Sequence, residues 1–149
     1  MKPQLDPNSG TWVTLPFTQT AMFVPHDNWI GFDLDGTLAR TDNPGHFEPP
    51  YPLGEPFPEM LEAVKGLIAQ GIKVKIFTAR ACEPSAVPVV QAWAEKHGLG
   101  KLEVTNQKDY QLIRFYDDRA IPFLSEPAAT MQYQRTASSA AANLLNGAQ

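Results

Sequence analysis

The chain has 149 residues, of which 43% are hydrophobic, and a formal net charge of -4. This length suits one domain with a substantial core, and the negative charge argues against general attraction to a nucleic-acid backbone. No apolar run approaches the length of a membrane-spanning helix, so no membrane partner is expected. The first six residues lack the apolar centre of a signal peptide, and Cys82 is the only cysteine. Both features predict a cytoplasmic location without an intrachain disulfide.

Residues 1–28 are interpreted as an N-terminal extension, because they show no clear hydrophobic period. Trp12, Val13 and Leu15 predict a short strand in this extension. Residues 18–28, which contain Pro25, are expected to form a polar connection.

An apolar run of Trp29, Ile30 and Phe32, in a strand predicted over about residues 29–33, leads directly into Asp33-Leu34-Asp35-Gly36-Thr37. The run predicts a short buried strand that breaks at Gly36. Asp33 and Asp35 are two residues apart, so in an extended chain their side chains point to the same face. Close like charges raise a pKa unless a cation or hydrogen-bond donors compensate. The pair therefore indicates an acid/base or metal site, and the alternative is a surface turn, where Asp-Gly is common.

Residues 39–57 form a long irregular segment with five prolines and two glycines. Long loops inside compact domains are often functional. Phe47 and Tyr51 are candidates to lie on a substrate, so the segment is interpreted as a short flap, with a passive surface crossover as the alternative. His46 is expected to be an ordinary loop residue.

The rest of the chain alternates between helical and strand patterns. A helix is predicted from Pro58 to just before Gly71, and a second helix over residues 85–97. Strands are predicted at residues 72–77, 102–105, 112–116 and, as a short fifth strand, 121–124. Residues 125–149 are expected to be a frayed tail or a loosely docked helix. The order predicts a single α/β domain over residues 29–124, in which a mainly parallel sheet carries helices on both faces.

Polar residues sit at the predicted strand ends or just before a strand. They are Asp33, Asp35, Thr78, Arg80, Lys108, Asp117 and Asp118. Parallel strands end at one edge of a sheet, so these side chains are expected to meet there. Carboxylate oxygens suit Mg²⁺, and a lysine suits a phosphate group. Four carboxylates packed together require such a cation.

These clusters resemble the four motifs of the haloacid dehalogenase-like hydrolase superfamily. The motifs are the Asp33 to Thr37 segment, the strand ending at Thr78, Lys108, and the Asp117-Asp118 pair. They occur in the family order, and the resemblance covers roughly residues 29–124. The chain is similar to small, stand-alone members from bacteria and their viruses. The resemblance implies a Rossmann-like parallel sheet with a minimal cap or none.

The resemblance also implies a Mg²⁺-dependent phosphatase that acts on a phosphate monoester. Asp33 is then expected to be the nucleophile that forms an aspartyl-phosphate, and Asp35 the acid that later activates water. Thr78 and Lys108 are expected to hold phosphate oxygens, together with the backbone N–H groups around Gly36 and Thr37.

The expected Mg²⁺ ligands are Asp33, the backbone carbonyl of Asp35, and Asp117, with Asp118 helping directly or through water. Arg80 and Arg119 each lie beside a motif, where either could contact substrate or form a structural salt bridge. Lys108 lies nine residues before Asp117, which leaves little room for a helix, so an approach from a loop is expected.

The partner is expected to be a phosphorylated small molecule, with a nucleic-acid end as another option. Without a cap, the site is expected to close through the loop, the substrate or a second subunit of a homo-oligomer. Alternatives are a phosphate- or metal-binding module without turnover, or a phosphotransferase or nucleic-acid-end phosphatase on the same scaffold. Cys82 is expected to be a small buried apolar side chain rather than a nucleophile.

Overall fold

The computed structural model describes residues 6–122 of the chain. The chain divides into two compact units, residues 1–118 and residues 119–149. Within the second unit only residues 119–122 are described, and they lie in no helix or strand. The predicted fifth strand is therefore absent at Ile121 and Pro122, and its other two residues lie outside the described part. The predicted tail or helix at residues 125–149 also lies outside it.

The first unit begins with an antiparallel hairpin of β1 (Gly10–Thr14) and β2 (Ala21–Pro25). The strand predicted around Trp12 is confirmed, but the polar connection predicted over residues 18–28 is wrong, because that segment contains β2. Val13 of β1 and Val24 of β2 are buried in the same apolar cluster as the central sheet. The hairpin therefore contributes to the core.

A four-stranded parallel sheet forms the centre of this unit, as predicted. Its strands are β3 (Trp29–Phe32), β4 (Lys73–Phe77), β5 (Glu103–Thr105) and β6 (Leu112–Tyr116). Their order across the sheet is β5-β4-β3-β6. All pairs are parallel, so all four strands end at the same edge. All four residues of β3 are buried, which explains why this run is apolar.

Two helices connect the strands. Helix α1 (Pro58–Ala69) joins β3 to β4, with Pro58 in its first turn beside Glu59. Helix α2 (Ala86–Lys96) joins β4 to β5, and a short 3₁₀ helix at Ala79–Cys82 precedes it. Both helices confirm the sequence prediction within two residues. Cys82 is exposed, so the expectation of a buried cysteine is wrong.

Both helices pack on one face of the sheet. Ile30 and Phe32 of β3 lie in one apolar cluster with Val64 of α1 and Val90 of α2. Successive right-handed crossovers that run the same way across a sheet put their helices on the same face. Helices on both faces were predicted, but no helix covers the second face within residues 6–122. No helix in this described range is long and apolar enough to cross a membrane.

The second face of the sheet holds a charged cluster around an indole ring. The Lys75 ammonium lies 4.5 Å from the centre of the Trp29 ring, and its nitrogen is 3.4 Å from a Glu103 oxygen. The Trp29 indole N–H donates a 2.8 Å hydrogen bond to Asp109. Asp109 lies in the connection between β5 and β6, so this bond ties that connection to β3.

Candidate active site

The carboxyl ends of three neighbouring strands bring polar residues to one edge of the sheet. Asp33 follows β3, and its backbone N–H donates to the carbonyl of Tyr116 at 2.9 Å. Thr78 follows β4, and Asp117 follows β6. Because β3 lies between β4 and β6, Asp33 lies between these two residues along the edge. At this edge Asp33, Asp117 and Asp118 converge as predicted, and Arg80 meets Asp35, at the place where open α/β sheets bind ligands. The expected approach of Thr78 and Lys108 to them stays a prediction.

Three carboxylates form an acidic triad at this edge. One oxygen each from Asp33, Asp117 and Asp118 lies within 4.8 Å of the other two. Asp33 and Asp117 are half-buried and Asp118 is exposed. Carboxylates this close repel one another unless protons, donors or a cation compensate.

The Thr37 hydroxyl connects two members of the acidic triad. Its oxygen accepts a hydrogen bond from the backbone N–H of Asp118 at 3.1 Å. It also lies 3.2 Å from an oxygen of Asp118 and 3.3 Å from an oxygen of Asp33. A hydroxyl has one proton, so it donates to one of these carboxylates at a time. This side chain fixes the spacing between the ends of β3 and β6.

Burial raises the pKa of Asp33 to about 7, and the hydrogen bond to Asp118 and the charge of Asp117 push it in the same direction. Burial also opposes ionisation of Asp118, but hydrogen bonds from Asp33, from its own backbone and from Thr37 lower the pKa of Asp118 overall. The charge of each carboxyl therefore affects the ionisation of the other. A cation between them would favour the ionised form of both.

The donor set of the acidic triad fits Mg²⁺. All three donors are carboxylate oxygens, which hard cations prefer. Mg²⁺ binds its ligands at about 2.1 Å, which sets neighbouring oxygens about 3 to 4 Å apart. The observed limit of 4.8 Å therefore requires only a small contraction. The carboxylate of Asp35 is not part of this set, and the role expected for its backbone carbonyl stays a prediction.

The Asp35 carboxylate is held by Arg80 in a two-point ion pair. The Arg80 Nε donates to one Asp35 oxygen at 2.7 Å, and Nη2 donates to the other at 2.9 Å. A third guanidinium nitrogen donates to the backbone carbonyl of Tyr51, in the loop 39–57. Of the two roles considered for Arg80, the salt bridge is present. Its partner is the residue expected to act as the acid.

His46 is only 7% exposed, although it was expected to be an ordinary loop residue. Its Nε2 lies 3.8 Å from an oxygen of Asp35. Its Nδ1 and the side-chain oxygen of Asn43 are buried without a hydrogen-bond partner in the described part of the chain. His46 is therefore part of the site, because it packs beside the Asp35 carboxylate. No spacing rule indicates it, since the loop has no period.

The residues expected to bind phosphate differ in their burial and in their hydrogen bonds. Thr78 is 2% exposed, and its hydroxyl accepts from the Arg80 N–H at 3.2 Å but donates to no described residue. Lys108 is exposed, lies in a loop as expected, and forms no ion pair within residues 6–122. The backbone N–H of Gly36 donates to the Ala39 carbonyl, and that of Thr37 donates to the Leu34 carbonyl. Both N–H groups are therefore occupied by hydrogen bonds within the turn that follows β3, rather than free to bind phosphate.

The loop 39–57 is fastened at several points. Its two ends pair through Arg40 N–H to the Glu55 carbonyl at 2.8 Å. The indole N–H of Trp93 donates to the carbonyl of Gly54 at 3.0 Å, which anchors the loop to α2. Phe47 is 75% exposed and Tyr51 is 53% exposed. The role of these two rings as a substrate flap stays a prediction, as does a substrate role for Arg119 in the second unit.

A cavity of about 420 Å³ opens beside the acidic triad. Two of its lining residues, Asp117 and Asp118, belong to the triad. The others are Phe17, Gly36, Thr37, Phe57, Glu59, Met60 and Tyr116. No sequence pattern indicates that Phe17 lines this cavity, because Phe17 lies in the turn of a hairpin that was not predicted.

Comparisons of the chain with protein-family models, with curated proteins and with solved structures found no match. The fold and the site define an α/β protein with clustered carboxylates at the carboxyl edge of a parallel sheet. Any more specific assignment depends on the chemistry that this arrangement supports.

Proposed function

We propose that the protein is a Mg²⁺-dependent phosphohydrolase that cleaves a phosphate monoester through an aspartyl-phosphate intermediate. The observation that supports this most strongly is the convergence of Asp33, Asp117 and Asp118 at one sheet edge, with Asp35 two residues after Asp33. The resemblance of the motifs to the haloacid dehalogenase-like superfamily supports the same chemistry. The strand order β5-β4-β3-β6 is compatible with the Rossmann-like sheet of that family.

In the first step, an ionised oxygen of Asp33 attacks the phosphorus atom while the bond from phosphorus to the leaving oxygen breaks. Asp35 gives its proton to the leaving oxygen, so the alcohol departs neutral. In the second step, the ionised Asp35 takes a proton from water, and the water oxygen attacks the aspartyl-phosphate. Inorganic phosphate leaves, and the Asp33 carboxylate is restored.

Asp33, Asp117 and Asp118 would hold Mg²⁺, and Thr37 would keep two of these ligands at a fixed spacing. The bound cation supplies positive charge that offsets both the carboxylate repulsion and the charge of the phosphate oxygens. The cation matters most for Asp33, because burial raises the pKa of this carboxyl to about 7 and a nucleophile must be ionised.

Two further side chains are assigned to the phosphate oxygens. The Thr78 hydroxyl keeps its proton available, because in its hydrogen bond with the Arg80 N–H the hydroxyl oxygen is the acceptor. Lys108 contributes a positive charge from the loop before β6. Because Thr78 is almost fully buried, phosphate binding requires a local opening of the site at the end of β4.

A second candidate function, a phosphate- or metal-binding module without turnover, is favoured by a different observation. Both oxygens of Asp35 are bound by Arg80. To act as the acid, Asp35 must release at least one of these hydrogen bonds. If the ion pair never opens, the acidic triad binds its ligands without completing hydrolysis.

The test measures phosphate release from phosphorylated metabolites and oligonucleotide ends, with Mg²⁺ and with chelator. Asp33→Asn is expected to lose activity by several orders of magnitude while keeping its fold. Asp27→Asn, which changes an exposed aspartate outside the triad, is the matched control. An acid-quenched wild type should carry a phosphoryl group on the peptide containing Asp33. Turnover by folded Asp33→Asn at a tenth of the wild-type rate would exclude Asp33 as the nucleophile.

A metal-stripped enzyme that keeps full activity in chelator would exclude the role of Mg²⁺. Binding of Mg²⁺ without phosphate release from any substrate would instead favour the module without turnover. Circular dichroism of each variant separates these outcomes from misfolding.

A further inference from the structure

The cavity beside the acidic triad has no role in the chemistry described above. We propose that it binds a planar aromatic group of the substrate, so that the enzyme acts on phosphate esters carrying such a group. This inference rests on the proposed function. It also assigns a role to the N-terminal hairpin, which supplies one wall of the cavity.

The lining of the cavity suits an aromatic ligand next to a metal-bound phosphate. Phe17, Phe57, Met60 and Tyr116 supply apolar surface, and the polar lining comes from Thr37, Glu59, Asp117 and Asp118. A volume of about 420 Å³ lies within the range of roughly 300 to 1,000 Å³ typical of small-molecule sites. Such sites combine apolar walls with a few polar groups that fix orientation.

Phe17 is held in an unusual conformation at this cavity. Its side chain is 61% exposed, and its φ is +69°, which is rare for a bulky side chain. Residues in such conformations persist only where surrounding structure holds them, and they concentrate at ligand-binding segments. The hairpin turn holds this one through the Leu15 N–H, which donates to the Thr20 carbonyl at 2.9 Å.

Tyr116 connects the aromatic wall to the triad. Its ring stacks on Phe32 with centres 4.6 Å apart, and it forms an edge-to-face contact with the Phe17 ring, with centres 6.3 Å apart. Its hydroxyl donates to the Pro16 carbonyl at 3.2 Å, which fixes the turn beside it. Asp117 is the next residue in the chain, so a ring bound against Tyr116 lies next to a proposed metal ligand.

A second cavity, of about 280 Å³, lies within the loop 39–57 and is lined by seven of its residues. Neither Phe57 nor Tyr116 borders it, and no member of the acidic triad does. The cavity beside the triad is therefore the better place for the organic part of a phosphate ester.

Binding of two non-hydrolysable probes tests the inference. Calorimetry on the full chain with Mg²⁺ would compare phenylphosphonate with methylphosphonate, which lacks the ring. The wild type is expected to bind phenylphosphonate about tenfold more tightly. Phe17→Ala and Phe17→Leu should lose most of this preference, by about three- to tenfold, without changing the affinity for methylphosphonate. Trp12→Ala is the matched control, since Trp12 is 64% exposed on the same hairpin but does not line the cavity.

Equal affinity of the wild type for both probes, or no binding of phenylphosphonate, would overturn the inference. Equal effects of the Phe17 and Trp12 variants would also overturn it. A change of oligomeric state in Phe17→Ala, without any aryl preference, would instead identify the surface as a contact between copies of the chain. Phosphate release without a preference for the aryl probe would refute the role of the cavity and leave the proposed hydrolysis intact. Aryl preference without phosphate release removes only the proposed hydrolysis.

Discussion

Thr37→Val is expected to destabilise the protein by about 2 to 4 kcal/mol, because one hydroxyl connects the ends of β3 and β6. Thr37 is 7% exposed, and valine has nearly the same shape, so the change removes hydrogen bonds without leaving a cavity. A hydrogen bond to a charged group contributes about 1.5 to 3 kcal/mol, and an unpaired buried N–H costs about 1 to 3 kcal/mol. Asp118 is exposed, so water offsets part of the sum.

Urea denaturation in chelator measures this loss as a shift in midpoint at constant slope. Thr14→Val is the matched control, because Thr14 is an exposed threonine in β1 and its replacement should change stability by less than about 0.5 kcal/mol. A Thr37→Val protein as stable as this control would refute the reasoning. It would mean that the three contacts of the hydroxyl do not hold the two strand ends together.

Gly36→Ala should destabilise the fold by about 1 to 3 kcal/mol and weaken Mg²⁺ binding, because φ is +91° and the new methyl would lie 2.3 Å from an oxygen of Asp118. Urea denaturation and Mg²⁺ titration check this, with Gly66→Ala, where nothing lies within 4 Å, as control. The raised pKa of Asp33 means that between about pH 4 and 7 the folded chain binds more protons than the unfolded chain. The free energy of unfolding in chelator should therefore fall as pH rises through this window, and Asp33→Asn should flatten the slope in a pH series. Arg80→Ala should lower kcat about tenfold or more, because Asp35 would lose the side chain that orients its carboxylate, with partial recovery in Arg80→Lys. A faster Arg80→Ala protein in steady-state assays would show instead that the ion pair inhibits turnover.

The central strands could be predicted from the sequence because burial determines the pattern of apolar residues in each of them. The buried strand β3 reads as an apolar run, and β4 alternates with β-branched residues. Strand β2 was not predicted, because Ala21 to Val24 is a short apolar run without alternation and is followed by Pro25. Helices on both faces were predicted from the alternation of elements alone, and that alternation does not say which side each crossover takes.

The site was predictable where it depends on strand ends and unpredictable where it depends on the loop. Asp33 and Asp117 converge because parallel strands end at one edge. The pairing of Arg80 with Asp35 joins residues 45 positions apart, and the burial of His46 depends on how an irregular segment folds back. Hydrophobic periodicity in the sequence predicts neither of these two contacts.

The hydrogen bond between Trp29 and Asp109 has a consequence for the precision of the site. The connection between β5 and β6 contains no helix, so Lys108 has no regular element to fix it. Its neighbour Asp109 is instead tied to the first residue of β3, while Asp33 directly follows the last residue of the same strand. Trp29 and Asp33 lie at opposite ends of β3, about 13 Å apart, so one buried strand connects the proposed nucleophile to the loop that carries Lys108.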